Sequence, residues 1–352
     1  MTRPPEPRRI SAPVLALAAA ALFGASTPLA APLVRSTSPV LIAGLLYLGS
    51  ALGLGIWWLI ARPRLGLRPL PRSQRTALIG AVLFGGVLGP ALLMIGLRAT
   101  GAASTALLLN LEIVFTALLA WALFRENAGS RVVVGMALLF AGATLLALAM
   151  NRVEGFAWGA LAVVAACLCW AIDNNLTRDV PSPHPVALAL IKGAVAGPIN
   201  IGLALLAGAT MPAPDGLGAA LLIGAVGYGA SLVLFIFALR ELGSARTVAY
   251  FASAPFAGVA LALVIGAEAP PLSFWLAAAL MATGVWLHLS ERHAHAHTHE
   301  AQLHDHEHVH DAHHQHEHEP GQDPSEPHRH LHRHQPLTHT HLHTPDLHHR
   351  HH

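Results

Sequence analysis

LRATGAASTALLLNLEIVFTALLAWALFRE, residues 97 to 126, is followed 142 positions later by LRELGSARTVAYFASAPFAGVALALVIGAE, residues 239 to 268, and the two align without a gap. Eight of the thirty positions are identical, among them Leu97/Leu239, Arg98/Arg240, Gly101/Gly243, Thr105/Thr247 and Glu126/Glu268. Apolar bias matches Ala and Leu by chance, but not Arg, Gly, Thr and Glu, so the stretch records an internal duplication. The pairing reaches outward to Leu92/Leu234 and Gly142/Gly284 at the same spacing.

Composition sets the medium in which the duplicated unit folds. Hydrophobic residues make up 54% of the 352 and charged residues only 11%, which is not a soluble composition. Apolar runs long enough to cross roughly 30 Å of hydrocarbon as helices recur along the chain. They fall at 12–32, 39–61, 74–97, 102–124, 130–150, 156–177, 184–207, 216–239, 246–266 and 272–290. Lipid offers a backbone amide no partner, and the runs lack the alternation of a barrel strand, so helices are required. The sequence therefore predicts an all-α membrane protein of ten transmembrane helices in two five-helix halves. Its parts are an N-terminal segment 1–11, a first repeat 12–150, a second repeat 151–290 and a tail 291–352.

The placement of arginines gives the orientation. Arg62, Arg64, Arg68, Arg72 and Arg75 crowd one link, whereas the opposite side receives only Arg35, Arg98 and Arg152. The positive-inside rule puts both termini in the cytoplasm of an inner (plasma) membrane. Five helices per half is an odd number, so the second half enters from the opposite face and the repeat is expected to be inverted. The basic link reads as an anchor to anionic headgroups and is too short to serve nucleic acid. Arg8 and Arg9 before an apolar run imitate a signal peptide, but the run is needed as the first of five helices. Cys167 and Cys169 lie on different faces of one helix and cannot bridge each other.

Polar groups inside apolar runs are the candidates for function, because an ionisable side chain at that depth costs several kcal/mol unless protonated, paired or hydrated. On a continuous helix Thr105, Glu112 and Thr116 form one polar stripe. Glu112 is the leading substrate or coupling group, with a buried structural hydrogen bond as the competing reading. Asn110 points elsewhere on that helix and reads as an interhelical hydrogen bond or a cavity group. The repeat partner of Glu112 is Ala254, so the carboxylate is not duplicated. Lys192 is the only lysine, about 12 Å into its span by helical rise. A short Pro-rich loop makes its helix a neighbour of the one bearing Asp173, so the two are expected to pair, as a static clasp or as part of a gate. Ser26 and Thr27 precede Pro28 at mid-span, and Asn175 and Tyr228 complete the set of candidate cavity groups. Glu126 and Glu268 read as helix-terminal caps.

Residues 293–352 hold 23 of the 25 histidines and almost no apolar residues, so the tail is expected to lack regular structure. Imidazole is a ligand for Zn, Ni, Co and Cu. The candidate ligands are His293, His295, His297, His299, His304, His306, His308, His310, His313, His314, His316 and His318. No tetrahedral spacing stands out, so the tail reads as a multi-site chelating surface, with a proton-sensitive polar tail as the alternative.

The duplicated stretch, with its Arg- and Gly-containing link, small-residue helix and closing glutamate, resembles the EamA-type family of drug/metabolite transporters across residues 12–290. The resemblance implies a gradient-driven inner-membrane carrier, often an exporter of amino acids, metabolites or toxic compounds, with a cavity between two five-helix halves. It also implies that Glu112 stands at a position often acidic in such helices; the tail has no counterpart in that pattern. Three readings follow. The first is a proton-coupled secondary exporter of small metabolites or amino acids working by alternating access. The second is a divalent metal transporter whose tail collects or senses the ion, and the third a membrane-tethered metal buffer or sensor. No nucleophile, base and orienter set is present, so no enzyme and no required cofactor are expected. The sequence leaves a homodimer open.

Overall fold

The structure, a computed structural model, describes residues 11–61, 72–124, 129–149, 156–177, 185–266 and 270–290, together with four short strands in the tail. Among the described residues, ten helices are long and apolar enough to cross a membrane: α1 Ala12–Ser36, α2 Pro39–Ala61, α3 Gln74–Thr100, α4 Ala102–Leu123, α5 Ser130–Ala149, α6 Ala157–Thr177, α7 Pro185–Leu206, α8 Pro214–Leu242, α9 Arg246–Ile265 and α10 Leu272–Leu289. The burial pattern departs from that of a soluble domain in its many exposed large apolar side chains. Leu206, Val264 and Ile60 are exposed, while Thr105, Asn110, Asn200 and Asp173 are buried. A hydrocarbon solvent produces this pattern, since apolar side chains gain nothing by hiding from it and polar groups must find partners inside. The protein is a multi-pass membrane protein.

Helix α2 packs along α7, α5 along α10, α3 and α4 along α6, and α8 and α9 along α1. Exchanging the two halves maps this set of contacts onto itself. Small residues permit the closest approaches, as membrane packing requires. Gly135 and Gly284 face each other between α5 and α10, where a Cβ built on either would lie 2.7 Å from the other's carbonyl oxygen.

Three local features recur at the spacing seen in the sequence. Helix α3 widens into a π-helical segment at Val82–Leu88, and α8 does so at Gly224–Ala230. The turns from α3 to α4 and from α8 to α9 are made by Gly101 (φ 77°, ψ 167°) and Gly243 (φ 80°, ψ 169°). That region of backbone space is open in practice only to glycine. Beyond each turn, a threonine hydroxyl bonds back to the glycine four residues earlier: Thr105 Oγ1 donates to the Gly101 carbonyl at 2.7 Å, and Thr247 Oγ1 to the Gly243 carbonyl at 2.8 Å.

The third recurrence corrects the continuous polar stripe expected on α4. The span is two helices, Ala102–Leu108 and Leu111–Phe124, joined by a tight turn in which Asn110 N–H bonds the Leu107 carbonyl and Glu112 N–H the Leu109 carbonyl. Helix α9 breaks likewise after Phe251 and restarts at Ala254, with Pro255 in its first turn. Thr105 and Glu112 therefore lie on different helical segments, not on one continuous stripe. Thr105 instead meets Thr100, Oγ1 to Oγ1 at 2.6 Å, across the Gly101 turn.

Among the described residues of the tail are four short strands: β1 His293–His299, β2 Leu303–His308, β3 His328–Arg333 and β4 Leu337–His343. β1 pairs antiparallel with β4 and β2 with β3. The reason is visible in HAHAHTH and LTHTHLH, whose period of two suits a strand whatever its polarity. Only the backbone is described at His293, His295, His297, His299, His304, His306 and His308. His310, His313, His314, His316 and His318 lie outside the described residues altogether, as do Glu126 and Glu268.

Candidate functional site

The π-helical segment of α3 is where the site begins. In the π register Gly89 N–H bonds the Phe84 carbonyl five residues back, and Pro90, next in line, has no N–H to give to Gly85, so this wide turn is open to donors from other helices. Three helices supply them. Tyr47 Oη of α2 donates to the Gly85 carbonyl at 2.7 Å and Trp170 Nε1 of α6 donates to the same oxygen at 3.0 Å. Asn200 Nδ2 of α7 reaches the Gly86 and Val87 carbonyls at 3.4 and 3.2 Å. The absence of a side chain at Gly85 also makes room for the Asp173 carboxylate, which a Cβ there would overlap.

Asp173 sits beside this segment and pairs with Lys192 of α7, with Nζ 2.6 Å from Oδ1 and 2.5 Å from Oδ2. The Asp173 side chain is 8% exposed and that of Lys192 17%, so the pair is withdrawn from solvent while the ammonium keeps one open side. That side faces a small cavity of about 260 Å3 lined by Tyr47, Ser50, Lys192, Tyr228 and the rings of Phe23, Phe235 and Phe251.

The same three rings form part of the wall of a larger cavity of about 610 Å3, which contains Glu112. Glu112 occupies the first turn of the second segment of α4, where the unpaired amides of a helix N-terminus favour a carboxylate. Its Oε1 accepts from Asn174 Nδ2 at 2.9 Å, and that amide also lies 3.5 Å from Thr116 Oγ1. The cavity wall further includes Thr27, Asn110, Thr116, Trp170, Pro255 and His288. Phe23 stacks at 5.5 Å from Phe251, and Phe251 at 5.0 Å from Phe235, so these walls are a connected aromatic surface.

Beyond Gly24 the cavity closes. A Cβ on Gly258 would fall 2.8 Å from the Gly24 carbonyl oxygen and 3.1 Å from the Ala106 Cβ, so α1, α4 and α9 meet backbone to backbone. Pro28 removes the helical donor of that Gly24 carbonyl, which leaves the oxygen to the interface. Past the contact lies a second cavity of about 580 Å3, lined by Pro28, Pro32, Arg35, Thr100, Ser104, Ala262 and Pro270.

The structure thus gathers Glu112, Asn110, Thr116 and Thr27 around one cavity and places Lys192 and Tyr228 at the adjoining one. Asp173 stands behind Lys192. Three expected groups serve the frame instead. Ser26 Oγ bonds the Phe23 carbonyl at 2.6 Å, Asn175 Nδ2 bonds the Ala171 and Thr116 carbonyls at 2.8 and 3.3 Å, and Thr105 Oγ1 bonds the Gly101 carbonyl at 2.7 Å. Sequence reasoning misses Tyr47, His288 and the three phenylalanines. His288 is separable from the tail histidines because it lies inside the last apolar run. Aromatic residues in lipid-length runs carry no signal that distinguishes an inward from an outward face.

The EamA-like transporter family model matches residues 10–148 and again 157–290, one match to each half. An uncharacterized transporter of Methanothermobacter thermautotrophicus is 26% identical over 226 residues, 62% of this chain. The aligned region spans 65% of that relative's length. A crystal structure of another protein superposes with a TM-score of 0.58 at 18% identity, covering 79% of this chain and 96% of that one, a likeness of fold. The two matches of the family model take in nearly all of the ten helices, and the chain belongs to the EamA-like transporter family.

Proposed function

We propose that the protein is a secondary transporter that exports small molecules by alternating access, coupled to protons through Glu112. One observation carries this reading: two cavities lie along the same helices, separated by the contact of Gly24 with Gly258, and the one with the carboxylate is bordered by both discontinuous helices. Broken helices at corresponding positions of two halves are where carriers of repeated architecture hold substrate. The recurrence of π-helical segments, glycine turns and helix breaks supports an inverted repeat, and with it a rocking motion of one half against the other. With both termini cytoplasmic, the Glu112 cavity, which reaches His288 and Leu289 at the end of α10, faces the cytoplasm. The vestibule bearing Arg35 and Pro270 faces the opposite side of the inner membrane.

Glu112 is suited to coupling because it is the carboxylate of this cavity and is not clasped by a cation, unlike Asp173. Purified protein in proteoliposomes is expected to move solute in response to an imposed pH gradient. Glu112→Gln is expected to reduce gradient-driven flux by at least tenfold, and a Glu112→Gln protein whose flux still followed the pH gradient would remove the coupling role. The metal-transport reading has a weaker basis, because among the described residues no three His, Cys, Asp or Glu side chains come together as a metal site.

A further inference from the structure

The chemistry of the larger cavity narrows the substrate, granted that this cavity is the transport site. Glu112 is its carboxylate, and only one of its oxygens, Oε1, accepts a hydrogen bond from the protein among the described residues. Two residues earlier, Asn110 is fully buried at the wall, and its Nδ2 donates to the Leu107 carbonyl at 2.9 Å. A carbonyl can only accept, so that bond fixes which end of the amide is which, and Oδ1 is left with no donor. The cavity therefore presents the second oxygen of Glu112, and Asn110 Oδ1 is a further acceptor without a donor, buried behind the wall. In the same cavity stand Trp170, Phe23, Phe235 and Phe251, whose π faces attract cations in a desolvated setting. The ammonium of Lys192 opens on the neighbouring cavity, and both Asp173 oxygens hold it. A substrate carboxylate would have to displace Asp173 to gain a countercharge there.

We infer that the cavity takes an organic cation: a protonated amine whose apolar or aromatic body lies against the rings while its N–H groups meet the Glu112 carboxylate. Amino acids, which bring a carboxylate with them, and plain carboxylic acids fit it less well. The volume of about 610 Å3 admits a body of one or two rings.

Equilibrium binding separates this inference from the transport reading. Full-length protein in nanodiscs at about pH 8, where an ordinary imidazole is neutral, is titrated with radiolabelled 2-phenylethylamine, phenylalanine and 3-phenylpropionate. These three share a ring and differ in charge. The expected result is an affinity for the amine at least tenfold above that for either of the others. Glu112→Gln should lose at least tenfold of it, and Glu112→Asp should keep it within threefold. Equal affinity for phenylalanine or phenylpropionate overturns the inference, as does amine binding unchanged in a folded Glu112→Gln protein. Amine binding without flux in proteoliposomes would sink the transport reading and leave the cation site standing. Flux of phenylalanine in preference to the amine would do the reverse.

Discussion

Asp173 and Lys192 show what a charge costs inside this protein and what holds it there. Each would be expensive alone in the bundle, and together they neutralise one another at hydrogen-bond distance. Removing one partner leaves the other charged and buried, so Asp173→Asn is expected to destabilise the protein by about 3 kcal/mol. The double change Asp173→Asn with Lys192→Met removes the orphan and is expected to restore stability to within about 1 kcal/mol, read as detergent-phase thermal unfolding. This pair is legible in the sequence, because a lone lysine and an aspartate in consecutive apolar runs have few other ways to be satisfied. Glu112 is legible for the same reason. Asn200 is not, since its amide serves carbonyls of the π-helical segment, on a helix more than a hundred positions away. Nothing in its own surroundings in the sequence announces that task.

At the scale of the element, the ten spans follow from run length and hydropathy, and their ends lie close to those expected. Their interruptions do not, since the periodicity of a helix is read only by assuming the helix is continuous. LLLNLEIV looks like an unbroken apolar run, and the tight turn inside it shows only in the backbone. Thr105 is misplaced by periodicity for that reason alone. The Gly101 and Gly243 turns are better marked, because each glycine is one of the identities of the repeat. Their backbone angles make a direct prediction. Gly101→Ala and Gly243→Ala should each cost about 1–3 kcal/mol, whereas alanine at Gly218, with open space around it and a helical backbone, should be tolerated. Thermal unfolding of the three purified variants checks the ordering.

Across the whole molecule, the proposed transport cycle makes the contact of Gly24 with Gly258 the barrier between the two cavities. Gly258→Leu would push side-chain carbon into the Gly24 carbonyl and hold α1 and α9 apart. It is expected to lower flux by more than tenfold while binding to the Glu112 cavity stays within threefold; equal losses of flux and binding would show that the contact shapes the site and not the path. The turn at Leu109 and Asn110 has a mechanical consequence of its own. The segment Leu111–Phe124 is a rod about 21 Å long, hinged at the end that carries the carboxylate. A swing of about 10° there would carry its far end roughly 4 Å, about the thickness of an aromatic ring. A ligand seated on Glu112 thus grips the short arm of a lever, and a displacement too small to open the site by itself is magnified at the far end of α4.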